Sequence, residues 1–225
     1  GNAFFTHEFL KSLYQKELLV FDIRDQKWQW DISRISGLGM TDNVAELMAG
    51  KIRELPASTR ETLKLGACIG NQFDLKTLSL ICRHSQSDTL AHLWRAIKEG
   101  LINPLDDKYK QLGDQGKDEV GRLFGFQHDR VQQAAYSLIP DTDRTGLHYQ
   151  IGRLLMAGTS DAGDKLFEIA DHINSGIEHV KDQSEKNKIA RLNLRAGQKA
   201  KSAAAYRAAL GYFRTGIGLL APDSW

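Results

Sequence analysis

The sequence is poor in features that assign a chemistry at sight. It has two cysteines, Cys68 and Cys82, too few for a disulfide framework. Both read as buried thiols of an intracellular protein. No charge sign dominates: 30 Lys and Arg against 28 Asp and Glu leave +2. That excludes a strongly basic nucleic-acid module and an acidic tail. No apolar run approaches the roughly 18 residues that span a bilayer; the longest nearby stretch is Leu18-Leu19-Val20-Phe21. The N-terminus has no basic region followed by an apolar run, so no signal peptide is visible. A cytoplasmic location is the expectation. What remains, 41% hydrophobic and 26% charged residues over 225 positions, is the composition of a globular protein with a core of its own.

Catalytic signatures are missing too. No G-x-x-x-x-G-K-[ST] occurs, so there is no phosphate-binding lysine and no hydroxyl for Mg²⁺. The chain alone cannot hydrolyse ATP by that route, and no catalytic residue is assigned. No G-x-S-x-G marks a nucleophile. His172 and His179 lie two helical turns apart, about 10 Å along an axis, too far to share one metal. Cys82-x-His84 lacks two further zinc ligands. His7, His92 and His148 read as surface or half-buried residues. No metal site is expected.

The periodicity is mainly helical. Phe5, Phe9 and Leu13 form one stripe. The period then changes: Phe21, Ile23, Trp28 and Trp30 alternate with polar residues around Arg24-Asp25-Gln26, predicting a small β-hairpin with its aromatics on one face. Gly37 and Gly39 mark a loop, and Thr41-Asp42-Asn43 can cap a helix bearing Val44, Leu47 and Met48. A new unit opens at Leu55-Pro56. Its helices carry Leu63, Ala67 and Cys68; then Leu75, Leu78 and Ile81 behind an Asp74 cap; then Leu90, Leu93, Trp94 and Ile97 behind Ser85 or Ser87, with Gly100 as the stop. Two extended pieces follow, 101–105 and 122–127, around a polar loop at 106–121. Three helices and a two-stranded ribbon is the winged-helix order. A further helix carries Val131, Ala134, Ala135 and Leu138.

Everything after Pro140 reads as helix. One stripe is Leu147, Ile151, Leu154 and Leu155; the next is Leu166, Ala170, Ile173 and Ile177. The last pair has Gly197, Ala209-x₃-Phe213 and Pro222, the marks of a tetratricopeptide-like repeat. The fold class is therefore mainly α: a helical segment with a hairpin at 1–54, a winged-helix-like domain at 55–140, and TPR-like helical repeats at 141–225. The chain starts on Gly and ends just past a helical pattern, so both ends are expected to fall inside a longer protein.

His128-Asp129, at the junction of the second ribbon strand and a helix, has two readings. A helix start offers free N–H groups and a positive dipole end, where an anion such as phosphate could sit with His128 donating to it. Alternatively the pair is structural: Asp129, with Gln132 three residues on, forms a capping arrangement. A DNA-reading third helix gains little support. Asp88, Arg95, Lys98 and Glu99 cancel, and the ribbon loop mixes five acids (Asp106, Asp107, Asp114, Asp118 and Glu119) with Lys108, Lys110, Lys117 and Arg122.

Three runs resemble a known group. Gly1-Asn2-Ala3-Phe4-Phe5-x₃-Phe9-Leu10 resembles the Gly-Asn-Pro-Phe-Phe segment that follows the ATPase core in signal-transduction ATPases with numerous domains (STAND). The run from Phe126-Gln127-His128-Asp129-Arg130 to Ser137-Leu138-Ile139 is similar to their winged-helix signature. Ala196-Gly197-x-Lys199-Ala200 and Ala205-Tyr206-x₂-Ala209-Leu210 resemble their downstream repeats. The chain looks like the AAA-type ATPase region of large bacterial kinases, in which a Ser/Thr kinase-like domain precedes the ATPase and GAF and histidine-kinase domains follow.

The resemblance implies a non-catalytic regulatory part of a signal-transduction sensor kinase. ADP or ATP with Mg would be bound by the upstream ATPase domain, and no cofactor by this chain alone. Gly1 and Asn2 would lie beside the adenine, and His128 would contact the β-phosphate of ADP and hold a closed state. Ala3 departs from the family's proline. The implied partners are the upstream nucleotide-binding domain, downstream signalling domains of the same chain and a protein bound on the helical repeats. Neither a membrane nor DNA is expected. The alternative is the regulatory arm of an ATPase-type transcription regulator, whose winged helix would touch DNA.

Overall fold

The N-terminal helix α1 (Ala3–Gln15) leads into a hairpin of β1 (Leu19–Asp22) and β2 (Lys27–Trp30), then α2 (Ile32–Gly37) and α3 (Val44–Arg53). The computed structural model describes residues 3–37, 44–105, 123–158 and 165–221. Gly39, the Thr41-Asp42-Asn43 cap and the ribbon loop therefore lie outside the described residues. Gly37, expected in a loop, ends α2.

The hairpin turn has no glycine because a side chain replaces what glycine would supply. Asp22 Oδ1 accepts from the backbone N–H of Arg24 at 2.9 Å and of Asp25 at 3.3 Å, and Gln26 takes the left-handed conformation, φ 51°. Phe21 faces Trp28 across the strands, their rings 5.2 Å apart, and Tyr14 of α1 meets Trp28 edge-on at 6.1 Å. Ile23, expected on the strand, sits in the turn and is exposed. Much of this aromatic face stays open: Trp28 is 50% and Trp30 58% exposed. Helix α1 is tied to α3 by the half-buried ion pair Glu8–Lys51 at 2.5 Å. Burial alone would raise the Glu8 carboxyl; the hydrogen bond and charge of Lys51, with Lys11 and His7, carry it below its ordinary value.

The middle of the chain runs α4 (Ala57–Ile69), β3 (Gln72–Asp74), α5 (Leu75–Cys82), α6 (Gln86–Lys98), β4 (Ile102–Pro104), β5 (Leu123–Phe126) and α7 (Asp129–Ser137). The predicted caps are in place. Asp74 Oδ1 accepts from Thr77 N at 2.7 Å, Ser85 Oγ from Asp88 N at 3.0 Å, and Gly100 has φ 69° just past α6.

The sheet has one strand more than the ribbon expected. β3 pairs with β5, placing Phe73 opposite Phe124, and β4 pairs with the other side of β5, in the order β3–β5–β4, all antiparallel. Pro104 is tolerated because β4 is an edge strand. Leu63, Leu78, Leu93, Phe124 and Val131 are fully buried beneath. Trp94 is a correction. It was expected on the core stripe, but that stripe runs through Leu90, Leu93 and Ala96, and Trp94 stands 42% exposed with Lys98 5.9 Å over its ring.

After Pro140 come α8 (Asp141–Gly158), α9 (Leu166–Ser175), a 3₁₀ turn (Ile177–His179), α10 (Gln183–Ser202) and α11 (Tyr206–Gly218). They form two antiparallel pairs, and each crosses at a glycine. A Cβ on Gly152 would lie 2.5 Å from Ile173 Cγ1 and 2.9 Å from its backbone N; one on Gly197 would lie 2.4 Å from the Phe213 ring. Ala209 is buried at the second crossing. Leu154 turns partly outward, unlike Ile151 and Leu155. The pairs are joined by buried Asn193, which exchanges amide hydrogen bonds with Asn174 at 2.8 and 3.0 Å.

The core is continuous from Met48 through Leu219. In an open helix Gly→Ala gains up to about 1 kcal/mol. Gly152→Ala is expected instead to destabilise by about 1–3 kcal/mol, as overpacking does. Gly211→Ala, with open space around it on α11, is expected to be neutral or stabilising. Urea unfolding midpoints of the two variants check the contrast.

Candidate functional site

His128 is placed by two elements meeting end to end. Strand β5 is pinned on both sides, Phe126 N–H donating to Asn71 O and Gln127 N–H to Leu101 O, each at 3.0 Å. The backbone is still extended at His128 (φ −157°, ψ 148°) and turns into α7 at Asp129. The His128 ring itself is the cap: Nδ1 accepts from Arg130 N at 3.1 Å. This corrects the Asp129–Gln132 capping reading. Asp129 already has helical geometry and contributes only its charge to the first turn. Gln132 points inward and donates to Ala67 O of α4 at 2.9 Å, so it cannot reach back to close a box.

With Nδ1 accepting, the hydrogen of the neutral ring is on Nε2. That hydrogen is a donor at the positive end of a nine-residue helix. His128 is half-exposed, and Asp129 and Arg130 are exposed. The geometry suits an anion, with one opposing feature: the Asp129 carboxylate already occupies part of the favourable field. Gly1 and Asn2, the other expected nucleotide contacts, lie outside the described residues.

Two histidines that the sequence read separately, His148 as surface or half-buried and His172 as no metal partner of His179, come together in a polar seam between α4 and α7 on one side and α8 and α9 on the other. Tyr136, at the far end of α7, meets His148 Nε2 at 3.0 Å. His148 Nδ1 meets His172 Nδ1 at 2.9 Å, and His172 Nε2 lies 3.3 Å from Ile69 O. A carbonyl only accepts, so His172 donates from Nε2 and accepts at Nδ1. His148 then donates from Nδ1 and accepts at Nε2 from the Tyr136 hydroxyl. All donors in the chain Tyr136–His148–His172–Ile69 point one way, with both rings neutral. Burial lowers His148 below the ordinary histidine range; burial and the neighbouring His148 bring His172 down to about 4. His179 engages a different partner, Thr145, at 3.0 Å.

Cys68 Sγ borders the seam, 3.8 Å from His148 Nε2. Burial pushes its thiol up to about 12 and that of Cys82 up to about 11. Cys68 is buried as expected, whereas Cys82 is only partly so. Neither is a nucleophile at neutral pH. Among the described residues no group of three or more His, Cys, Asp or Glu could hold a metal ion, and no helix is long and apolar enough to cross a membrane. The charges of α6 are internally matched, Arg95 pairing with Glu99 at 3.5 Å.

The chain is 30% identical over 265 aligned positions to hybrid signal transduction histidine kinase G of Dictyostelium discoideum. The match covers all of this chain but spans 8% of that protein's length. No protein-family model matches the chain, and no solved structure does. The similarity links the chain to a region of a signalling protein.

In the folded protein both thiols are expected to react with iodoacetamide at pH 8 at least ~100-fold more slowly than free cysteine, because the thiolate is the reacting species. Mass-spectrometric alkylation time courses check this, and urea should abolish the protection.

Proposed function

We propose that this chain is a non-catalytic regulatory segment of a multidomain signal-transduction ATPase or sensor kinase. It docks on an upstream nucleotide-binding domain, senses whether ADP or ATP with Mg is bound there, and relays that state through its helices. The similarity along the whole chain to a hybrid histidine kinase supports the signalling half. The single observation carrying the nucleotide half is the placement of the His128 ring at the start of α7, where its Nδ1 accepts from Arg130 N–H.

The element order α4–β3–α5–α6–β4–β5 with sheet order β3–β5–β4 supports reading the middle as a winged helix. The glycine-crossed pairs α8–α9 and α10–α11 support reading the C-terminal part as TPR-like repeats. The open apolar groove of about 840 Å³ lined by Leu10, Tyr14, Leu19, Trp28 and Trp30 is of the kind that interfaces cover. On this reading the nucleotide domain or a downstream domain of the same protein covers it, and the setting is the cytoplasm.

No residue of the chain performs a chemical step in this scheme. The upstream domain would hold the nucleotide, and Gly1 and Asn2 would border its base. His128 would donate from Nε2 to a phosphate oxygen in the closed state, so exchange of ADP for ATP would shift the closed and open populations.

The test uses the longer polypeptide that includes the upstream domain. Bound ADP is quantified after purification for the parent, His128→Ala and His128→Gln. A hydrogen bond to a charged group contributes roughly 1.5–3 kcal/mol, so His128→Ala is expected to lower ADP affinity about 10–100-fold, with His128→Gln between. Unchanged ADP, with only the loss of about 1 kcal/mol that removal of a cap brings, would make His128 a helix-start residue and sink the sensing role.

A further inference from the structure

The donor chain Tyr136–His148–His172–Ile69 crosses the boundary between two sets of helices that are otherwise joined mainly by apolar packing. Its geometry has room for one arrangement of hydrogens only. A proton added to His172 must go on Nδ1, which already faces the Nδ1–H of His148 at 2.9 Å. That contact would change from attraction to repulsion. A proton added to His148 goes on Nε2 and reverses the Tyr136 hydroxyl. We propose that this chain is a proton-operated latch: neutral, it holds α8 and α9 against α4 and α7, and mildly acid pH opens that seam while the α4–α7 body stays folded. This inference is independent of any role for His128.

The surroundings of the two rings favour release. From α7, Tyr136 carries Arg144 of α8 4.9 Å over its ring, and the Arg144 Nε is buried with no hydrogen-bond partner among the described residues. Arg144 is paired with exposed Asp141, at 2.5 Å, and Asp141 does not pair with a ring. From α4 the facing groups are Cys68 and the Ile69 carbonyl, neither of them a base at neutral pH. On α9 itself, Asp171 is engaged by Tyr212 of α11 at 2.6 Å. From the 3₁₀ turn, His179 and Glu178 pair with each other at 3.7 Å. From α10, Glu185 is taken by Tyr149 and Arg153. Among the described residues no carboxylate pairs with either seam ring, so nothing stabilises a second positive charge there.

A separate tether sits at the other end of the same boundary. Lys165, just before α9, reaches Asp74 at 3.2 Å, with Glu168 beside them. Burial alone would raise the Asp74 carboxyl, but Thr77 and Lys165 bring it below its ordinary value. This pair therefore survives mild acid and acts as the hinge.

The sign follows from the direction of the shifts. A ring that titrates at about 4 when latched and near 6.5 when released binds more protons in the released state between those values. Stability of the closed seam is full above about pH 6.5 and declines below it. Opening is then ~30-fold more favourable at pH 5.0 than at pH 7.5.

The test is site-resolved amide hydrogen exchange on the 225-residue chain at both pH values, corrected for intrinsic rates. The expected result is an acceleration of roughly that factor in α8 and α9, with the Leu63 region of α4 unchanged. His172→Gln is expected to remove most of that rise, leaving only what His148, also lowered by burial, contributes. Two outcomes overturn the latch: α4 and α8 accelerate together, or His172→Gln keeps the whole rise. If His172→Gln fails to fold at pH 7.5, Tyr136→Phe decides instead. It must raise α8 exchange several-fold at pH 7.5 with α4 unaffected, and no rise overturns the proposal.

Discussion

Helix α7 is sandwiched between α3 and α4, and everything else is arranged around how closely those helices can approach. Its inward positions are Val131, Ala134 and Ala135, all fully buried and all small. Any longer side chain there would push α3 or α4 away from a core with little room to repack. Gln132 adds a polar stitch to Ala67 O. A helix fixed this tightly acts as a rod. His128 stands at one end and Tyr136 near the other, about 12 Å away along the axis.

Charge is used sparingly but in consistent places. Glu8–Lys51 fastens α1 to α3, and Asp74–Lys165 fastens the start of α5 to the approach to α9. Both carboxyls are held below their ordinary value, so both pairs persist into mild acid. The seam at His148 and His172 responds in the opposite sense, because its rings are buried neutral. Acid thus acts on one contact of the boundary and spares the other, and the result is a pivot rather than a dissociation.

The parts of the molecule written in local pattern were legible in the sequence. Stripes and caps located the helices, with Asp74, Ser85 and Gly100 at their expected posts, and the alternating aromatics located the hairpin. Strand β3 was not legible. It is three residues long and is a strand only because Phe73 pairs opposite Phe124. Trp94 was misplaced because an aromatic next to Leu93 looks like core, yet one residue is a rotation of about 100° on a helix. At the start of α7 the acid drew the eye, whereas the extended backbone of His128 brings the ring, not the carboxylate, over the free N–H groups. The seam was invisible for a plainer reason: Cys68 and His148 are 80 residues apart, His148 and His172 24, and no spacing rule joins them.

The open aromatic hairpin has a spectroscopic consequence. Trp28, Trp30 and Trp94 all stand at the surface. Their indoles are partly solvated in the folded state, so unfolding changes the surroundings of these three less than it would those of buried indoles. The same placement makes them a bright gauge of association. Whatever covers the hairpin will dehydrate two indoles at once and shift the emission to the blue, while Trp94, on the far side of the sequence in α6, serves as the internal reference.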